Sequence, residues 1–232
     1  MSEWWTYRLS NFLLFSPRTY YRLLELYNAA IWPAQVAAFL VGLAILVFLV
    51  RPTAARARLA AGLLAACWIW VAVAFHAKDY ATINFAAAQF AWAFGVEAAL
   101  LLLFVMFQRG HGRAGRAGPS PTTPGPGTWI LGYALFLHPF AGLLAGRDWR
   151  ELEIFGVTPD PTAIATIGAV LVLARGRRWP LLVIPVLWCV VSGFTLRAME
   201  APDGWILFAA AAAAVAFAYR GRRATSPAAR GG

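Results

Sequence analysis

Charged residues are scarce in this chain, at 13% of 232 positions, and Lys78 is the single lysine among 20 basic residues. A soluble domain carries about twice that share of charge. A chain that is 61% hydrophobic would also expose large apolar patches in water. The scarcity argues against a soluble domain. Cysteine is nearly missing as well. Cys67 and Cys189 both fall inside apolar stretches, which excludes a disulfide framework. No basic segment precedes an apolar run at Met1-Ser2-Glu3-Trp4-Trp5, so a cleaved signal peptide is not expected. No nucleophile elbow, Walker loop, HExxH or paired CxxC occurs, which disfavours an enzyme, and no cofactor is indicated. The near-absence of lysine beside abundant alanine suggests a high-GC bacterial genome.

What is present is alternation. Seven apolar segments, 31–50, 57–77, 83–107, 128–145, 158–174, 179–197 and 204–220, approach the roughly 20 residues of a spanning helix. Their connectors are of two kinds. Arg51, Arg56 and Arg58, then Arg109, Arg113 and Arg116, then Arg175, Arg177 and Arg178, and finally the tail from Arg220, stand without acids. The other connectors hold Asp79, then Asp148, Glu151, Glu153 and Asp160, then Glu200 and Asp203. Arginine-rich short loops stay cytoplasmic, so the pattern predicts the N-terminus outside and the C-terminus inside. In that setting the net charge of +10 reports orientation and not nucleic-acid binding. The fold expected is an all-α polytopic bundle of about seven spans at 31–220, with a basic tail at 221–232. Residues 108–127, rich in Gly, Pro and Arg, read as an inner linker. The fifth segment has the shortest strictly apolar stretch, with Asp160 and Pro161 suited to a helix start.

Residues 1–30 do not span. Ser2 and Glu3 suit a helix start, and Ser16-Pro17 starts a second short helix with Tyr20, Leu24 and Tyr27 on one face. With Trp4, Trp5 and Tyr7 nearby, this reads as an amphipathic hairpin lying at headgroup depth.

Polar side chains at membrane depth are the candidates for function, because burying them is costly. Glu97 stands out as an acid in mid-span, as a protonatable group for transport or as a neutral carboxyl bonded to a neighbouring helix. His138, followed by Pro139, falls near the middle of its span and is a candidate partner for Glu97. Gln89 and Asn84 fall along an access path. Gln35, His76, Asp79 and Arg197 form a more superficial polar layer, with His76 and Asp79 spaced to interact. Cys67, Cys189 and His138 share a depth that would suit a soft metal but have no motif spacing. Loop 146–153 reads as a solvated cap.

Trp4-Trp5-Thr6-Tyr7, the run from Phe12 to Arg22, Tyr27-Asn28 with Ile31 to Gln35, and the Thr158–Thr162 stretch resemble a family of bacterial multi-pass inner-membrane proteins, a domain of unknown function. Some of its members are labelled permease-like. The resemblance covers essentially the whole chain, implies an inner-membrane protein and brings no site residues with it. The first expectation is a small-solute or ion permease in the bacterial cytoplasmic membrane. The alternative is a non-catalytic subunit or assembly factor that docks a membrane-protein partner through Trp4, Trp5 and Arg18. A metal- or haem-binding membrane protein comes third.

Overall fold

The computed structural model describes residues 13–107, 125–173 and 179–223, and every regular element among them is helical. Ser16 accepts a bond from the Thr19 amide at 3.2 Å and Pro17 takes the first turn, so α1 runs Pro17–Ala30. After an 88° bend, α2 runs Ala34–Val50. Thr53 caps α3, Ala54–Trp70, by accepting from the Arg56 amide. That helix continues through a π-helical stretch, Val71–Asp79, and a single 3-10 turn, Tyr80–Thr82. Then come α4 (Ala87–Phe107) and α5 (Pro126–Gly132), the latter prolonged by a π turn, Tyr133–Leu137. The remaining helices are α6 (His138–Leu144), α7 (Pro159–Leu173), α8 (Val183–Ala198) and α9 (Gly204–Arg223).

All seven apolar segments are therefore helical. Four stretches are long and apolar enough to cross a membrane: Ala54–Thr82, Ala87–Phe107, Pro126–Leu144 and Trp179–Ala198. Counting the bent pair of α1 and α2 as one span makes five. Helices α7 and α9 are shorter apolar helices and do not meet that length. The spanning helices turn Leu40, Val47, Val73, Trp92 and Leu103 outward, as suits lipid better than water.

The segment that looked weakest is the centre of the bundle. Every residue of α7 except Val172 is buried, and it packs on α5, α8 and α9 and also touches α2 and α3. Small residues allow this. A Cβ on Gly168 would stand 2.6 Å from the Gly127 carbonyl oxygen, so α5 and α7 meet backbone to backbone. A polar thread runs along α7: Thr162 donates to the Thr158 carbonyl, Thr166 donates to the Thr162 carbonyl, and Trp68 donates to Thr166 at 2.8 Å. Bonding within and between helices is what a helix without water requires.

Helix α1 shares this core and does not lie apart from it. Tyr20, Leu23, Leu24 and Tyr27 are buried on the one face their spacing defines. The Tyr27 hydroxyl donates to the Val157 carbonyl at 2.8 Å and accepts from Trp70 at 3.0 Å, while Asn28 donates to the Arg150 and Leu152 carbonyls. The aromatic face expected at headgroup depth is covered instead by the protein's own loops. The first helix of the expected hairpin, with Trp4 and Trp5, lies outside the described residues.

Candidate functional site

The turns at residues 80–86, 145–158 and 199–203 gather at one end of the bundle, here called the acidic end. There, α1, the π-helical stretch, α4 and α8 enclose a cleft of about 150 Å³. Six rings line it, from Phe15, Tyr20, Phe75, Tyr80, Phe90 and Trp188, together with the polar Asn84, Ser192 and Thr195. Helical spacing explains the convergence. Trp188, Ser192 and Thr195 stand at i, i+4 and i+7 on one face of α8. Phe90, Phe94, Glu97 and Leu101 follow one another down the inward face of α4 in the same rhythm.

Behind the cleft lies a layer with no solvent contact. His76 packs against Phe94 (4.5 Å between centroids) and Trp188 (4.9 Å), and Phe94 lies tilted against Trp68 at 4.3 Å. Asp160 is fully buried here. Its Oδ1 accepts from Trp188 Nε1 at 2.7 Å and its Oδ2 from Ser192 Oγ at 2.8 Å. Two residues of the cleft wall thus hand their donors to one carboxylate. Asp160 was expected to cap α7, and Glu97 to be the only acid within the spans. Instead Asp160 is an equally buried acid, because α8 supplies hydrogen-bond donors where water would otherwise be needed. The signal is the i, i+4 spacing of Trp188 and Ser192 within the apolar segment 179–197.

Glu97 is itself fully buried, and among the described residues neither of its carboxylate oxygens has a hydrogen-bond partner. Seven residues beyond Phe90, it stands about 10 Å deeper along α4. Its expected partnership with His138 is not formed. His138 opens α6, six residues before the helix ends at Leu144, which places it about 9 Å from the acidic end. Glu97 lies ten residues, or about 15 Å, from the start of α4. His138 Nε2 lies instead 4.0 Å from Glu153 Oε2.

That glutamate belongs to a buried charge cluster. Arg147 donates to Glu153 at 3.2 Å and to Asp203, with its guanidinium also over the Tyr21 ring. A Cβ on Gly142 would lie 2.6 Å from Arg147 Nε, so a larger residue there would push the guanidinium aside. Loop 146–153 is therefore no fully solvated cap, since the side chains of Arg147 and Glu153 are only 6% and 2% exposed. Burial disfavours the charged guanidinium, but Glu153 and Asp203 outweigh it and hold its pKa above the ordinary arginine value. Burial pushes the Asp203 pKa up, with Arg147 opposing. The cluster ties the α6–α7 loop to the α8–α9 turn, and through Tyr21 to α1.

The other candidates are dispersed. Asn84 is buried at the cleft, its Oδ1 accepting from the Ala86 amide at 2.9 Å at the start of α4. Gln89 points outward and is exposed. Gln35 donates to the Asn28 carbonyl at 2.7 Å and secures the α1–α2 bend. Arg197 donates to the Ala201 carbonyl and covers the Trp205 ring. His76 and Asp79 separate, with His76 buried among rings and Asp79 half-buried, because the π-helical stretch widens the turn and breaks the i, i+3 alignment. Arg18 is exposed. Cys67 lies beside Gly156, Cys189 is fully buried, and among the described residues no three His, Cys, Asp or Glu side chains gather as metal ligands.

No curated protein and no solved structure matches this chain. One family model, described as Family of unknown function (DUF6064), matches residues 18–229, nearly the whole length, and the chain belongs to that family.

Proposed function

We propose that this protein is a permease of the bacterial cytoplasmic membrane that moves a small solute together with a proton. In this reading all seven apolar helices are embedded in the bilayer. The short central α7 is sheathed by its neighbours, the N-terminus faces outside and the arginine-rich connectors face the cytoplasm. The observation that carries it is the order of side chains down α4. The cleft wall at Phe90 comes first, then the ring layer at Phe94, and then the unpartnered carboxyl of Glu97, all on one inward face. A solute held in the cleft would stand above a plug of rings, with the protonatable group directly beneath it. Movement of the rings of Phe94, His76 and Trp188 is the step that joins the two compartments.

The test is uptake into proteoliposomes loaded with a pH-sensitive dye, with small amines, amino acids, organic acids and sugars supplied outside. One solute class should acidify the lumen, and Glu97→Gln should abolish that signal while leaving solute binding in place. Unchanged proton movement in Glu97→Gln would remove Glu97 from the mechanism and, with it, the reading. The partner-docking alternative keeps less support. The buried face of α1 is occupied within the bundle, leaving only exposed Arg18 and the segment before residue 13 to carry it.

A further inference from the structure

The cleft has a chemistry more specific than apolar. Six aromatic side chains line it beside aliphatic and small polar ones, and the described residues lining it include no lysine or arginine. Directly behind that wall Asp160 accepts from Trp188 and Ser192, both of which line the cleft. Both oxygens of this buried carboxyl are held by donors of the wall, so it stands directly behind the rings without meeting solvent. Rings present negative faces, and their attraction for a cation strengthens when water is excluded. Tyr20, also in the wall, lies within electrostatic reach of Asp160, Glu153 and Arg147. An anion placed here would meet ring faces and carboxyl oxygens, with no cation among the described lining residues. A neutral solute would gain from area alone.

Size narrows the ligand further. The volume of about 150 Å³ equals that of a buried cavity known to hold one benzene-sized guest, about 150 Å³. That suits an ammonium head bearing methyl groups plus a short polar arm, and Asn84 and Thr195 are available to the arm. From these observations we infer that the cleft between α1, the π-helical stretch, α4 and α8 is a binding site for a small methylated organic ammonium ion, recognised by its aromatic wall and by Asp160 behind it. The inference deepens the permease reading by naming its solute class, although binding and transport can be separated by experiment.

Binding of choline and tetramethylammonium to the full chain in nanodiscs is read by quenching of tryptophan fluorescence and by calorimetry. The comparison ligand is 3,3-dimethylbutan-1-ol, which replaces the choline nitrogen with carbon at nearly unchanged shape. Choline is expected to bind at least about tenfold more tightly than this alcohol, the factor set by a desolvated cation–ring contact. Equal binding of the two, or no binding of either cation at up to about 10 mM, overturns the inference. Because that comparison uses the unaltered protein, it stands even if a variant fails to fold. Asp160→Asn keeps an acceptor for Trp188 and should bring choline down toward the alcohol. Phe90→Leu, at the half-buried rim, should weaken choline several-fold without changing the elution profile. If choline binds but is not moved by proteoliposomes, the permease reading fails and the site stands. If instead an uncharged solute is moved and choline does not bind, the site fails and the permease reading stands.

Discussion

Glu97 makes a prediction that runs against the usual effect of core mutation. Its side chain is fully buried with both carboxylate oxygens unpartnered, among the apolar neighbours Phe94, Ala98 and Leu101 on its own face of α4. A buried polar group lacking a partner costs about 1–3 kcal/mol relative to an apolar group of the same shape. Methionine matches glutamate in length and adapts to irregular space. Glu97→Met should therefore stabilise the protein by about 1–3 kcal/mol, which is roughly 5- to 150-fold in the unfolding equilibrium. It should also remove proton-coupled transport. Stability is read by reversible unfolding in mixed micelles, with transport assayed on the same preparation. Retention of a destabilising carboxyl is expected where activity requires it. A loss of stability beyond about 1 kcal/mol would mean that the carboxyl makes a favourable contact, and the argument for Glu97 as a free proton site would fall with it.

Other outcomes follow from the same structure. Arg147→Ala leaves Glu153 and Asp203 buried and unpaired, so unfolding measurements should show a loss of about 3–5 kcal/mol. Arg147→Lys should recover part of it. Gly168→Val drives a branched side chain into the α5 backbone and should cost at least about 1–3 kcal/mol, or prevent accumulation of protein in the membrane. Trp68→Phe removes one buried hydrogen bond to Thr166 while keeping a ring against Phe94, and should cost about 0.5–1.5 kcal/mol because the Thr166 hydroxyl keeps its bond to the Thr162 carbonyl. For the orientation, single cysteines at Arg56 and Asp148 should be labelled by a membrane-impermeant maleimide from opposite sides of intact cells. Labelling of both from one side would refute the alternating topology.

Hydropathy and the spacing of arginine and acid made the helical segments legible, with ends within a few residues of those observed. Two parts of the structure were not legible from them. Hydropathy measures what faces lipid, and α7 faces almost none, so a segment with threonines, an aspartate and two prolines scored as the weakest although it is the hub. Depth was inferred by counting along each segment alone. That placed Glu97 and His138 together, whereas helix ends shift each residue by an amount fixed only when the ends pack. The pairings of Asp160 with α8 and of Arg147 with Asp203 join residues 28 and 56 positions apart. No local periodicity contains them. Gly142, beside the Arg147 guanidinium, was silent for the same reason: its role is to be small opposite a residue met only in three dimensions.

The centrality of α7 also bears on how the protein is made. In order of synthesis, α2, α3 and α5 precede α7, whereas α8 and α9, which cover its remaining sides, follow. Until α8 emerges, Asp160 has neither of its donors, and a helix of 15 residues carrying an unsatisfied carboxyl is a poor candidate for independent insertion. The chain must hold this segment at the membrane surface or against the insertion machinery until its later partners arrive. Closure of the core is thus a late event in biogenesis. Chains stalled before residue 183 should expose an unfinished polar helix to the cell's membrane quality control, while chains completed through α9 should escape it.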